Sequence, residues 1–255
     1  MQDLSLLDLL QSGAHFGHKS SRWNPKMKPY IFTTRNDVHI LDLEKTKKGL
    51  LKAATAAADI VSKGGTILFI GTKRQSRDIV KKRALECGMP FINVRWLGGT
   101  FTNFKTIQKT VRKLEKLHEL KASGDLETRY TKKERLLIER EVEKLEKLFE
   151  GIKGMRRLPE AVFIADVNYD DIALTEAKKS GVKIIAIVDS NSNPDNIDYV
   201  IPCNDDATQA IELVVSFVAK AIEEAKTAQT LAQPAAEAAS EAVGTATEAA
   251  VIPEA

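Results

Sequence analysis

The stretch Thr66-Ile67-Leu68-Phe69-Ile70-Gly71-Thr72-Lys73-Arg74-Gln75-Ser76-Arg77 decides the fold class. Thr66 to Ile70 run apolar without alternation, the mark of a strand covered on both faces. Gly71-Thr72 turns the chain into a helix from about Gln75 to Cys87, and Gly88-Met89-Pro90 breaks that helix before a strand from Phe91 to Arg95. Upstream, Leu4 to Leu10 reads as a short helix ending near Gly13. His15 to Arg35 has almost no periodicity, Val38 to Leu43 alternates as a strand, and Glu44 to Lys63 is a helix stopped by Gly64-Gly65. Downstream come a strand at Ala161 to Ala165, a helix at Ile172 to Ser180, and strands at Lys183 to Val188 and Tyr199 to Pro202. An amphipathic helix follows from Asp206 to Glu224, with Asp205 as its expected N-cap. Apolar strands alternating with helices imply a parallel sheet covered on both faces, so the sequence predicts a doubly wound α/β body of the Rossmann-like or flavodoxin-like kind.

Residues 104–152 interrupt that pattern. Ile107, Val111, Leu114 and Leu117 recur at helical spacing, as do Ile138, Val142, Leu145 and Phe149, with Ser123-Gly124-Asp125 between the two runs. This predicts an antiparallel coiled-coil hairpin, inserted into the body and projecting from it on a narrow apolar stripe. The body is then 1–103 together with 153–225. From Lys226 onward the sequence reduces to Ala, Glu, Thr, Ser and Pro without aromatics, so 226–255 is expected to be a disordered acidic tail.

The net charge of +3 conceals a strong asymmetry. Residues 1–157 carry a net +15, residues 158–225 a net −9 and residues 226–255 a net −3. A chain so divided is expected to turn one side toward a polyanion. The 2 cysteines, Cys87 and Cys203, are too few for a disulfide framework or a cysteine zinc site, which suits a reducing interior. Met1 to Ser12 lacks the basic start and long apolar run of a signal peptide, and no run of about 18 apolar residues is long enough to span a bilayer.

The segment HFGHKSSRWNPKMKPYIFTTR at 15–35 holds Lys19, Arg22, Lys26, Lys28 and Arg35 with no acidic residue among them. Trp23, Tyr30 and Phe32 are interleaved, and Pro25 and Pro29 keep the backbone extended. Cations contact phosphates and aromatic faces stack on exposed bases, though some of the aromatics are equally read as core anchors. The loop with Lys73, Arg74 and Arg77 opens a helix after a buried strand, where free N–H groups can meet a phosphate. It has neither G-x-G-x-x-G nor G-x-x-x-x-G-K-[ST], and three cations suit nucleic-acid phosphates better than a dinucleotide. The segment RWLGGTFTNFK at 95–105 follows the third strand, where α/β folds place ligands, and also leads into the hairpin. The expected nucleic-acid contacts are therefore Lys19, Arg22, Trp23, Lys26, Lys28, Arg35, Lys73, Arg74, Arg77, Arg95, Lys105, Lys109, Arg112, Arg156 and Arg157, with the acidic stretch 158–225 on the opposite side. His15 and His18 offer two metal ligands with no evident third, so they read as structural histidines. The run Asp189 to Asp195 fails as a calcium loop because Pro194 stands where the loop needs Gly and Val200 where it needs Glu. No acid–base or nucleophile pair can be argued, so no catalytic residue, cofactor or metal is expected. The alternative is an α/β enzyme or binding module for a nucleotide or phosphorylated ligand.

HFGH at 15–18, RWNPKMKPYIF at 22–32, RN at 35–36, GTK at 71–73, RWLGGTFTNFKT at 95–106 and IPCNDDA at 201–207 together resemble the family of the bacterial second small-subunit ribosomal protein. The resemblance runs from about Gln2 to Glu224 in several long motifs in the right order. It departs at Cys203, where the family commonly has Gly, and in the Ala-rich tail. It implies a doubly wound sheet with a protruding coiled coil, and a non-enzymatic place in the cytoplasmic small ribosomal subunit, an organelle ribosome being equally compatible. It also implies binding of small-subunit ribosomal RNA between head and body. The implied protein partners are other small-subunit proteins, among them the first, which recruits messenger RNA; no membrane is implied.

Overall fold

The computed structural model describes residues 4–124, 126, 128 and 130–248, with side chains described as far as Thr230. In chain order the elements are α1 (Leu6–Gln11), β1 (Phe16–Lys19), 3-10 turns at Ser20–Arg22 and Pro25–Tyr30, β2 (Ile31–Arg35), β3 (Val38–Leu41), α2 (Leu43–Ser62), β4 (Ile67–Ile70), α3 (Arg77–Glu86) and β5 (Phe91–Ile92). There follow α4 (Phe104–Ala122), α5 (Lys132–Phe149), a 3-10 turn at Glu150–Ile152, β6 (Ala161–Ile164), α6 (Asp171–Lys179), β7 (Lys183–Val188), β8 (Tyr199–Pro202) and α7 (Thr208–Glu248).

Five strands form a parallel sheet in the order β5-β4-β6-β7-β8. Both faces of its strands are apolar because both are covered. Ile67, Phe69, Ala161, Phe163, Ile185 and Ile187 face a core completed by α2, α3 and α7. Leu68, Ile70, Val162, Ile164, Ile184 and Ala186 face a second core that includes α6 and the inner stripes of α4 and α5. Gly49 lets α2 lie directly on β8, since a Cβ there would stand 2.5 Å from the Val200 carbonyl oxygen. Asp42 caps α2 by accepting from the N–H groups of Glu44 and Lys45.

Three expectations need correction. The aperiodic segment 15–35 contains two strands, β1 and β2, which flank β3 in an antiparallel sheet of order β1-β3-β2. Register irregularities between Phe16 and Lys19 and between Ile31 and Thr33 interrupt the two-residue alternation that would have revealed them. The strand expected to run to Arg95 stops at Ile92: the Ile92 carbonyl accepts from Gly71 N–H at 3.0 Å, and Val94 and Arg95 then lie exposed at the sheet edge. Asp205 does not cap α7. Asn204 makes the turn into that helix instead, its side-chain oxygen accepting from Asp206 N–H at 2.9 Å and Ala207 N–H at 3.3 Å. The region read as tail begins inside α7, with Lys226 to Thr230 helical and the helix continuing to Glu248. The side chains beyond Thr230, and all of 249–255, lie outside the described residues.

Candidate nucleic-acid interface

The expected contact residues divide into free, paired and enclosed cations. Lys19, Arg22, Lys28, Arg35, Arg74, Arg95, Lys105, Lys109 and Arg112 are exposed, and among the described residues none of them forms an ion pair. Trp23 is half-buried, its ring centroid 5.2 Å from that of His39. Lys26 pairs with Asp195, Arg156 lies 3.7 Å from Glu115, and Arg157 lies 3.4 Å from Glu160 while donating to the Gly64 carbonyl. Exposed pairs of this kind are weak and open to exchange for a phosphate.

Lys73 is a correction. It does not face outward: its Nζ lies 2.7 Å from Asp166, 2.9 Å from Asp205 and 2.7 Å from Asp206, with 14% of the side chain exposed. Burial alone would lower its pKa, but the carboxylates of Asp166, Asp206 and Asp205 win and raise it, which favours the charged ammonium. The reason is topological. Parallel strands end on one edge, and the loops after β4, β6 and β8 meet there, although their charged residues come from the basic and acidic parts of the sequence. The two charge classes are therefore interlocked at this edge rather than placed on opposite sides. Arg77 is half-buried and donates to the Thr72 carbonyl at 3.1 Å.

Much of the same edge is already bonded within the protein. Thr72 gives its N–H and its hydroxyl to Asp170, at 3.3 and 2.7 Å, and Ser76 and Arg77 return their N–H groups to the Lys73 carbonyl. Gly71 is small because a Cβ there would stand 2.6 Å from Val80 Cγ2 on α3, so it serves helix-to-strand packing rather than phosphate approach. Burial pushes the Asp170 carboxyl up to about 6 and, with Asp166 and Asp189 nearby, the Asp205 carboxyl up to about 7.

Glu176 organises the 97–103 loop. Its carboxylate accepts from the N–H groups of Gly99 (2.6 Å), Phe101 (3.0 Å) and Thr102 (3.3 Å), and Trp96 Nε1 lies 3.4 Å away. Burial pushes the Glu176 pKa up, but these donors outweigh it and hold it below the usual carboxylate value. In the sequence Glu176 counts only as one of the acids of the stretch 158–225, because its partners lie more than 70 positions away. Sequence reading also left His18 without ligand partners. In three dimensions its ring stands beside Asp189 and Asp206, which raises its pKa.

These features are those of an α/β protein in which Lys73, Asp170 and Glu176 are tied to neighbouring loops, while the free cations named above have no acidic partner among the described residues. The profile of the family described as "Ribosomal protein S2" matches residues 9–225. The chain belongs to that family, which is structural rather than enzymatic. It is 48% identical over 231 residues to the small ribosomal subunit protein uS2 of Geotalea uraniireducens (strain Rf4), covering 91% of this chain and 90% of the relative. It is 49% identical over 221 residues to the small ribosomal subunit protein uS2 of Methylobacterium nodulans (strain LMG 21967 / CNCM I-2342 / ORS 2060), covering 87% of this chain and 63% of the relative.

Proposed function

We propose that this chain is a structural constituent of the small ribosomal subunit in the cytoplasm, held there by small-subunit ribosomal RNA between head and body. It also helps to dock the first small-subunit protein, which brings messenger RNA. Its body is a doubly wound sheet, and α4 with α5 is a coiled-coil hairpin projecting from it. The observation that carries the RNA reading is the set of exposed cations without acidic partners on β1, the turns after it, β2, the 74 loop and the start of α4. They form a distributed phosphate-contacting surface, which positions a protein without reading base sequence.

The test is sedimentation of the tagged chain in a lysate, with comigration with small subunits expected at moderate salt. The triple variant Lys19→Ala, Arg22→Ala, Lys28→Ala should incorporate less well. Its log affinity for RNA should fall less steeply with log salt, by roughly 0.7–0.9 per lost contact. An unchanged slope would remove the β1–β2 segment from the interface.

A further inference from the structure

We propose that the cleft between the loops after β5 and β6 takes one unstacked base of the RNA, a base that carries an amino group. The inference rests on the RNA reading above and adds to it a site that holds a base rather than a phosphate. The cleft, of about 290 Å3, is lined by Val94, Arg95, Trp96, Tyr169, Asp171 and Ile172. That is near the lower end of small-ligand sites, roughly 300–1,000 Å3. It lies at the carboxyl edge of the parallel sheet, where α/β folds place ligands.

Three observations fit a base. The first is exposed hydrocarbon: Tyr169 is 58% exposed, Ile172 53% and Val94 36%, and all three share this one cleft. Clustered exposed apolar groups mark binding surfaces, whereas scattered ones do not. The second is an aromatic ring held ready. Asp166 Oδ1 accepts from the N–H groups of Asn168 and Tyr169, both at 2.9 Å, and the Asp170 N–H donates to the Asp166 carbonyl at 3.1 Å. The backbone under Tyr169 is thus tied down. Among the described residues, however, its hydroxyl has no hydrogen bond and its ring no aromatic neighbour. On the β5 side, Trp96 is buried and edge-on to Phe101, with ring centroids 5.0 Å apart, so that wall is rigid.

The third observation is the arrangement of charge. Arg95 is exposed without an acidic partner among the described residues, and Asp171 is an exposed carboxylate at the start of α6. Asp170, at the same cleft, is already taken up by Thr72. A free carboxylate repels a phosphate but accepts from the amino group of a base. The base therefore enters, stacks on Tyr169 and is read on its edge by Asp171, while its phosphate stays outside at Arg95. The base is delivered by a strand already held at the free cations, an advantage that a loose mononucleotide lacks.

Small subunits depleted of this protein are rebuilt with the full chain or a variant, and affinity is measured at several salt concentrations, with urea midpoints to verify folding. Tyr169→Ala should weaken binding roughly 5- to 150-fold, the range for one lost base stack, with the salt slope unchanged. Tyr169→Phe should bind like the parent, because only the ring stacks. Arg95→Ala should flatten the salt slope by about 0.7–0.9, as one lost phosphate contact does. Tyr169→p-benzoylphenylalanine, irradiated in the rebuilt subunit, should cross-link to RNA at one adenosine, cytidine or guanosine. Undiminished affinity of Tyr169→Ala, with the parent still bound, overturns this site and leaves the RNA reading standing. Failure of the parent itself to join small subunits overturns the RNA reading. A cross-link to protein in place of RNA overturns the base and makes the cleft a protein-docking surface. A cross-link to uridine overturns the selection by Asp171.

Discussion

The Glu176 carboxylate and the three N–H groups it accepts are mutually dependent, because each would otherwise be a polar group withdrawn from water. Glu176→Ala leaves those donors unpaired and should destabilise the protein by about 3 kcal/mol, read as a lower urea midpoint. An unchanged midpoint would mean that Gly99 and its neighbours are held by other contacts. Joint replacement of Asp170, Asp171 and Glu176, the acidic control that the charge split invites, is therefore a poor control for RNA binding, since two of the three secure loops. Asp170 carries a pH signature. Its folded pKa of about 6 stands above the ordinary 3.8, because burial outweighs the bonds from Thr72. The folded state thus keeps a proton that the unfolded chain releases. This contribution is fully present below about pH 4 and is lost as pH rises to about 6, at most about 3 kcal/mol. The stability of Asp170→Asn relative to the parent should accordingly rise between about pH 4 and pH 7. Parallel stability curves for the two proteins would show that Asp170 titrates normally.

Among the elements, α7 ties the end of the chain to the body. Lys226 Nζ donates to the carbonyls of Cys87 (2.7 Å) and Gly88 (2.9 Å), meeting the C-terminal end of α3 with the charge sign that a helix C-terminus favours. Chains ending at Thr230 should melt like the full-length protein, whereas chains ending at Ala225 lose this link and should melt a few degrees lower, since charged hydrogen bonds contribute about 1.5–3 kcal/mol. Equal melting of the two truncations by calorimetry would make Lys226 dispensable. The same scale explains what could be read in advance. β4, β6 and β7 were legible because a strand buried on both faces is apolar at every position, and α4 and α5 because their stripes recur at helical spacing. β1 and β2 were not, because their irregular registers and exposed faces leave no period. The β2–β3 hairpin turns on Asn36 (φ 49°) and Asp37 (φ 61°), residue types that tolerate this conformation. The free cations could be named from composition, but the enclosure of Lys73 and the pairing of Lys26 depend on partners 93 or more positions away.

For the molecule as a whole, the charge split of the sequence becomes an outer surface with unpaired cations and an inner edge where Lys73 neutralises part of an acidic cluster. That edge is where an α/β sheet would offer a nucleotide its site, and here the amides of Gly71, Thr72, Ser76 and Arg77 are already bonded. Calorimetry with ATP, GTP and NAD should show no micromolar one-to-one binding; a defined isotherm would revive a ligand-binding role. The core under α2 and α3 has a further consequence. It is completed by Ile211, Val214, Val215, Val218 and Ile222 of α7, all made last on the ribosome. At roughly 5–20 residues per second, α2 is finished about 8–30 s before its partner emerges. During synthesis the part of this core that α7 covers thus stays open although α2 and α3 are already made, so newly made chains expose hydrocarbon that the finished protein hides.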